Sequence, residues 1–307
     1  MFNGINEIHQ PHLVRITNIH HPMRCHRREA VSVHDIGLTL ATTLSLAGAA
    51  VAAQGLSQKD LARGLLERGL AQGDRGFIMD HVAEGYIQHN PQAADRRQGL
   101  LDFVDFIQTM DPPMQVTPLR VITDGAYTVV HQESEFFGPK VIIDVFRFED
   151  GKIAEHWDSI QDRVTKTANG RTMTDGATEI SDLDKTEANK ALVQALVSDV
   201  LIGGNIAKID SYIRPDYRQH NPYVADTRDG LKQFISYLAD NNIAFGYEKV
   251  HLTLGEGNFV FTQSEGIYDG AATAFYDLWR VEDGKIAEHW DVVQTIPKEF
   301  AHDNGMF

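Results

Sequence analysis

Asp144 stands in the run KVIIDVFRFED, residues 140–150. In an extended chain alternate side chains share a face, so Ile142, Asp144, Phe146 and Phe148 lie together, with Val145 and Arg147 opposite. The face with large apolar residues is the inner one, which puts the Asp144 carboxylate among Phe and Ile. Desolvation there disfavours the charged form and raises the pKa. Such a group acts as a general base, or stays protonated and donates a hydrogen bond. The competing reading is an Asp paired with a helix cap or an Arg. Two histidines extend the set. In AEHWD, residues 154–158, His156 shares a face with Ala154 and Asp158, while Ile153, Glu155 and Trp157 take the other. In TVVHQE, residues 128–133, His131 shares a face with Val129 and Glu133. A His–Asp pair on neighbouring strands is a workable acid–base device, because each group tunes the other. Plain core packing is the alternative for His156 and Trp157. His89, in QHNP at 88–91, is a candidate ligand contact, although Asn90-Pro91 also makes a good turn. Tyr86 can donate to a substrate oxygen or simply pack.

These residues come in two sets. DGKIAEHWD occupies 150–158 and again 283–291, and YIQHNP at 86–91 returns as YRQHNP at 217–222. The offsets, 133 and 131, exceed the roughly 20–50 residues of a solenoid unit and match a whole domain of about 100–150. The chain is therefore a tandem duplication. The two extra residues of the second copy are expected between Gly266 and Ala274, in a hairpin loop. His220, Asp277 and His289 repeat His89, Asp144 and His156, and Thr262 is the expected match to His131. A Thr cannot shuttle protons near neutral pH, so the second site is expected to be one acid–base group short.

Within one unit, SQKDLARGLLERGLAQ has a Ser cap and apolar residues at helical spacing. GDRGFIMDHVAEG predicts a second short helix, and RRQGLLDFVDFIQTM a third that ends before Pro112 and Pro113. Four β-branched and aromatic segments with DG breaks then predict an antiparallel run. The second unit repeats the order, with helices over Lys185–Leu201, Ile206–Ile213 and Gly230–Ala239 and strands from Tyr247 to Thr295. Helices ahead of a meander define an α+β domain. The polar TKTANGRTMTDGATEISDLDK between the units reads as a linker. The expected domains are a leader at 1–53, a first unit at 54–164, a linker at 165–182 and a second unit at 183–307.

The leader holds Arg24, Arg27 and Arg28, then the uncharged run Ile36–Ala53 with small residues at Ala50 and Ala52. This is the outline of a secretory signal peptide, better than an anchor because the run is rich in Ala, Gly and Thr. It predicts a secreted or periplasmic protein that starts near Gln54. The single cysteine, Cys25, lies in the leader, which excludes a disulfide framework and cysteine nucleophiles from the rest. A formal charge of −15 argues against nucleic acid and anionic membranes as partners. No HxH or HExxH spacing occurs, so no metal and no cofactor is expected.

Three helices before a sheet whose last hairpin reads VFRFEDGKIAEHWD, together with QHNP after the second helix, resemble the SnoaL-like polyketide cyclase group of the nuclear-transport-factor-2-like superfamily, over Leu56 to Gln294. The resemblance implies two cones, each a curved sheet wrapped round a helix with a mostly apolar pocket. It implies Asp144 as the acidic pocket residue with His131 as its partner, and the His156 face as pocket lining. Phe146, His89 and Tyr86, with His220, Asp277 and His289 in the second unit, would contact a ligand. It also implies that outer-face residues pair the two units, Val145, Ile153 and Trp157 with Leu278, Ile286 and Trp290, as an intramolecular pseudo-dimer. The chemistry implied is cofactor-independent aldol-type cyclisation, isomerisation or lyase chemistry on a small apolar carbonyl compound. The alternative is an exported binding protein without catalysis.

Overall fold

The DG pairs place the strands. In the computed structural model, which describes residues 55–307, Asp150 and Gly151 have φ of 50° and 74°, and Asp283 and Gly284 have 51° and 71°. Two successive left-handed residues are what a two-residue hairpin needs. The expected leader and its signal sequence lie outside the described residues. Among those residues, no helix is long and apolar enough to cross a membrane.

The first unit runs α1 (Gln58–Gly64), a π-helical turn (Leu65–Ala71), α2 (Arg75–His81), β1 (Val82–Gln88), α3 (Arg96–Ile107), β2 (Gln115–Asp124), β3 (Tyr127–Glu135), β4 (Pro139–Glu149) and β5 (Lys152–Asp162). Ser57 starts α1 through a capping box with Asp60, whose carboxylate accepts the Ser57 backbone N–H. The second unit repeats this as α4 (Thr186–Leu196), a π-helical turn (Val197–Ile202), α5 (Ile209–Tyr212), β6 (Ile213–Gln219), α6 (Thr227–Asp240), β7 (Phe245–Glu256), β8 (Phe259–Tyr268), β9 (Ala271–Glu282) and β10 (Lys285–Thr295). Each sheet has five strands, ordered β1-β5-β4-β3-β2 and β6-β10-β9-β8-β7. The expected four-stranded antiparallel run is thus incomplete. β1 and β6 add a fifth strand, parallel to β5 and β10. VAEGYIQ carries the alternation of a strand at Val82, Tyr86 and Gln88, but it directly follows α2 and reads as its continuation. On the concave face, Leu65, Ile78, Val104, Tyr86 and Phe146 form one core, and their counterparts in the second unit form another.

The strand registers also relocate the extra residues. Gly125 and Gly257, 132 apart, hold the same turn, whereas Asp144 and Asp277 are 133 apart. One insertion therefore lies within β7, where a second register shift, between Tyr247 and Lys249, has no counterpart in β2, and only the other falls between β8 and β9. Val130 faces Asp144 and Thr262 faces Asp277, so Thr262 is the counterpart of Val130. The counterpart of His131 is Gln263.

The convex faces of the two sheets pack on each other through Val145, Ile143, Trp157, Leu278, Tyr276 and Trp290. The pseudo-dimer is thereby formed, with Trp157 and Trp290 both buried. Of the six residues expected there, Ile153 and Ile286 belong instead to the separate cores of their own units, because a register shift follows each on its strand. Polar contacts obey the same twofold relation. Lys59 Nζ reaches Glu256 Oε1 at 2.7 Å and Lys190 Nζ reaches Asp124 Oδ2 at 2.7 Å. The Ile160 N–H donates to Gln294 Oε1 and the Val293 N–H to Gln161 Oε1.

The segment between the units is more than a linker. After β5 it crosses to the second unit, where the Ala168 N–H donates to Pro222 O and Asn169 Nδ2 to Asn221 O. After β10 the C-terminal segment crosses the other way, with the Ala301 N–H donating to Pro91 O and His302 Nε2 bonded to Asn90 O. Met173 and Met306 anchor the two arms in the shared core. Gly176 has φ of 97°, and a Cβ there would lie 2.1 Å from Glu288 Oε1, so only glycine lets the first arm lie so close. Deletion of 296–307 is expected to cost at least the ~1.5–3 kcal/mol of one buried Met side chain. Urea denaturation of the shortened chain checks this, and an unchanged midpoint would show that the arm contributes nothing.

Candidate functional site

Asp144, His156 and Asp158 meet on the concave face of the first sheet. Asp144 and Asp158 are directly cross-strand neighbours, and Phe146 faces His156. His156 Nε2 lies 3.1 Å from Asp144 Oδ1, and its ring stacks on Phe146 at 4.8 Å between centroids. Its Nδ1 lies 3.0 Å from Gln88 Oε1. That oxygen also accepts the backbone N–H groups of His89 and Asn90, both at 2.9 Å, which fixes it as the carbonyl end. Nδ1 is therefore the protonated nitrogen, and one further proton lies between Nε2 and Asp144. Gln132 Nε2 donates to Asp144 Oδ2 at 2.6 Å. Asn90 Nδ2 donates to both oxygens of Asp158, at 2.8 and 2.9 Å. Tyr86 Oη accepts from Gln88 Nε2 at 3.2 Å.

Among the described residues no Lys or Arg is hydrogen-bonded to these carboxylates, and the charge balance follows from that. Burial pushes Asp158 up to about 6, against the pull of His156 and with the push of Asp144. Burial opposes charge on His156, but the Asp144 hydrogen bond and the two carboxylates outweigh it and raise its pKa. Burial, with Asp158 and Asp144, lifts Tyr86 well above the ordinary phenol value and keeps it a neutral donor. A carboxyl whose pKa is higher folded than unfolded favours folding less as pH rises through that interval. Asp158→Asn is accordingly expected to stabilise the protein by up to about 3 kcal/mol above pH 6, with the gain vanishing toward pH 4. Denaturant midpoints of the two proteins across pH 4–8 check this; a gain independent of pH would contradict it.

The second unit repeats the arrangement. His289 Nε2 lies 3.0 Å from Asp277 Oδ1, and its Nδ1 lies 3.0 Å from Gln219 Oε1. Asn221 Nδ2 donates to Asp291 Oδ2 at 2.7 Å. Burial raises the Asp291 pKa. The donor to Asp277 differs: Tyr247 Oη lies 3.0 and 3.2 Å from its two oxygens.

The expected His131–Asp144 pair does not form. His131 faces Ile143 across the ladder, one position out of phase with Asp144, so its side chain points to the convex face. There its Nδ1 lies 3.2 Å from Arg120, its ring neighbours Trp290, and burial with the adjacent Arg120 holds it well below the ordinary His value. His89 and His220 are likewise on the convex side, because each follows an inward-facing Gln by one residue. His89 stacks on Trp157 at 4.7 Å and bonds Glu155 and Gly305 O. His220 stacks on Trp290 at 4.8 Å and bonds Glu288 and Thr172 O. Glu155 and Glu288 in turn hold Arg147 and Arg280. These histidines bind the swapped arms. Of the expected residues, the structure gathers Asp144, His156, Tyr86 and Phe146 in one site, and Asp277 with His289 in the other.

Gln88, Asn90, Asp158 and Gln132 were not anticipated as parts of the site. The signal for the first three was their identity in both copies, as Gln219, Asn221 and Asp291. Gln132 corresponds to Ser264 and carried no such signal. The lack of HxH spacing is also offset by the cross-strand partner. One ligand atom each from Asp144, His156 and Asp158, and likewise from Asp277, His289 and Asp291, lie within 4.8 Å of one another. Two carboxylates and an imidazole are a donor set for a divalent cation, although here the hydrogen bonds within each trio already occupy part of that capacity.

A SnoaL-like domain model matches residues 62–156 and 193–289, well over half of the 307 residues. The chain belongs to the SnoaL-like family, and its two units are SnoaL-like α+β domains in tandem. Similar solved structures include IdmH from Streptomyces antibioticus, described as a candidate polyketide cyclase, at 22% identity over 34% of this chain and 93% of that one, with a TM-score of 0.30. An epoxide hydrolase of M. tuberculosis is 21% identical over 36% and 85%, with a TM-score of 0.29. An NTF2-like protein from Mesorhizobium loti is 20% identical over 36% and 94%, with a TM-score of 0.31. The comparison with curated proteins found no match.

Proposed function

We propose that the first unit carries out acid–base chemistry on a small, largely apolar carbonyl compound, of the aldol-type cyclisation, isomerisation or lyase kind. The observation that carries this reading is the buried Asp144–His156–Asp158 trio, in which His156 Nε2 lies 3.1 Å from Asp144 and burial pushes Asp158 up to about 6. Asp144 would remove a proton from the carbon next to the carbonyl. His156, its Nδ1–H fixed by Gln88, would keep the shared proton on the imidazole side and leave the carboxylate basic. Tyr86, a neutral phenol beside the trio, would donate to the enolate oxygen, and the abstracted proton would return to carbon or to the leaving group. His131 has no part in it.

The test is proton exchange. Cyclic ketones and β-diketones are incubated with the protein in D2O, and loss of the α-proton signal is followed by NMR. Exchange catalysed by the wild type and absent with Asp144→Asn supports the reading. No catalysed exchange across the panel would sink it. A mature N-terminus near Gln54, seen by intact mass of exported protein, would test the proposed secreted or periplasmic location; a full-length cytoplasmic product counts against it.

A further inference from the structure

We propose that the second unit's site is filled by the chain itself, through Tyr247, and that the first unit alone takes a ligand, a planar ring bearing a hydroxyl or enol O–H that faces Asp144. The inference rests on the reading of Asp144 as part of a ligand site, and it names the ligand class.

The two sites share Asp, His, second Asp, Gln and Asn, so what differs between them is informative. Tyr247 on β7 pairs with Gly266, and Val116 on β2 pairs with Ser134. Those partners are 132 apart on equivalent strands, so Tyr247 and Val116 are the same position. In the second unit a phenol reaches this point and sets its O–H against both oxygens of Asp277. Its ring stacks on Phe275 at 4.2 Å, and Phe245 packs edge-on to both rings. Trp279 closes the other side, stacked on His289 at 4.0 Å with its indole N–H donated to Thr262. Asp277 is left with 0% exposure.

The equivalent residues of the first unit are smaller: Val116 for Tyr247, Ile142 for Phe275, Phe146 for Trp279 and Met114 for Phe245. Among the described residues no phenol is hydrogen-bonded to Asp144. Gln132 donates to one of its oxygens from the side, and the carbonyl oxygen of Gln132 is buried without a hydrogen-bond partner. The first site thus has the acceptor carboxylate and an unused second acceptor, and lacks the ring that fills its twin. A ligand shaped like the Tyr247 side chain, a flat ring with one acidic O–H, complements it. In the second unit Ser264 Oγ, the counterpart of the Gln132 side chain, is likewise without a partner, but both oxygens of Asp277 are met within the chain, where tethering gives the phenol a high effective concentration against any free ligand.

The test uses the full chain and 4-nitrophenol, with binding followed by equilibrium dialysis. The wild type is expected to bind one equivalent, and Asp144→Asn to bind at least tenfold more weakly. Val116→Tyr should install the plug in the first unit and lower affinity at least tenfold. Tyr247→Val should open the second unit and raise the stoichiometry to two, while Tyr247→Phe, which keeps the ring, should stay at one. Two equivalents for the wild type, none for the wild type, or one for a folded Tyr247→Val would each overturn the proposal. If Tyr247→Val does not fold, Val116→Tyr decides: unchanged affinity overturns it. Binding as expected without α-proton exchange would leave this inference standing and remove the catalytic reading.

Discussion

Asp144→Asn is expected to lower α-proton exchange by at least the ~10²–10⁴-fold that a general acid–base group contributes, with the fold intact. Asn keeps the shape and one acceptor for His156, but it cannot take a proton from carbon. Asp144 is the carboxylate paired with His156, with Gln132 on its other oxygen, whereas Asp158 is held by Asn90, so the loss is not replaceable by Asp158. His131→Ala serves as the contrast. His131 is fully as buried but points to the convex face, so its removal should leave the rate within a few-fold and lower stability instead. Asp277→Asn should also leave most of the rate, because Tyr247 already holds that carboxylate. Rates and denaturation midpoints measured together separate these cases. A folded His131→Ala protein as inactive as Asp144→Asn would mean that the chemistry lies on the other face of the sheet.

Trp290→Ala is expected to be the most destabilising single change, at about 3–5 kcal/mol for a large aromatic removed from a core. The indole has 0% exposure and is engaged on every side. His220 stacks on it at 4.8 Å, the Arg120 guanidinium lies 4.0 Å above it, and its N–H donates to Asp175 O on the crossing arm. Its loss would leave Arg120 buried without the ring and unhook the arm from the second unit. Trp157→Ala should cost less. Trp157 is 7% exposed, its indole N–H has no partner, and the residue at the Arg120 position facing it is Leu252. Urea denaturation followed by circular dichroism gives both values, and equal costs for the two tryptophans would contradict this account of the interface.

The repeat itself determined a great deal. Two copies of DGKIAEHWD and of the QHNP segment established the duplication and the hairpin turns; alternation along KVIIDVFRFED gave Asp144 and Phe146 the inner face, while the inward direction of His156 and the outward direction of Trp157 came with the family resemblance. Alternation along one strand is local and is fixed by backbone geometry, so it could be read without a structure. Register between strands is not local, and a slip of one residue reverses which side chains meet. His131 looked like the partner of Asp144 because both lie on strands of the same hairpin. The ladder sets Val130 opposite Asp144, and Gln132 supplies the hydrogen bond instead. The same uncertainty misplaced one of the two insertions and made Thr262 stand for His131. His89 and His220 were mistaken because the strand that ends at Gln88 and Gln219 was hidden behind a helix, and without it the alternation could not be counted. In the swapped arms the 133-residue offset survives as identities at Ala168/Ala301 and Met173/Met306, too sparse to be read as a repeat before the structure showed both Met side chains buried in the shared core. Composition and spacing thus carry the identity of the groups, and the sheet register, which depends on packing far along the chain, decides which of them share a proton.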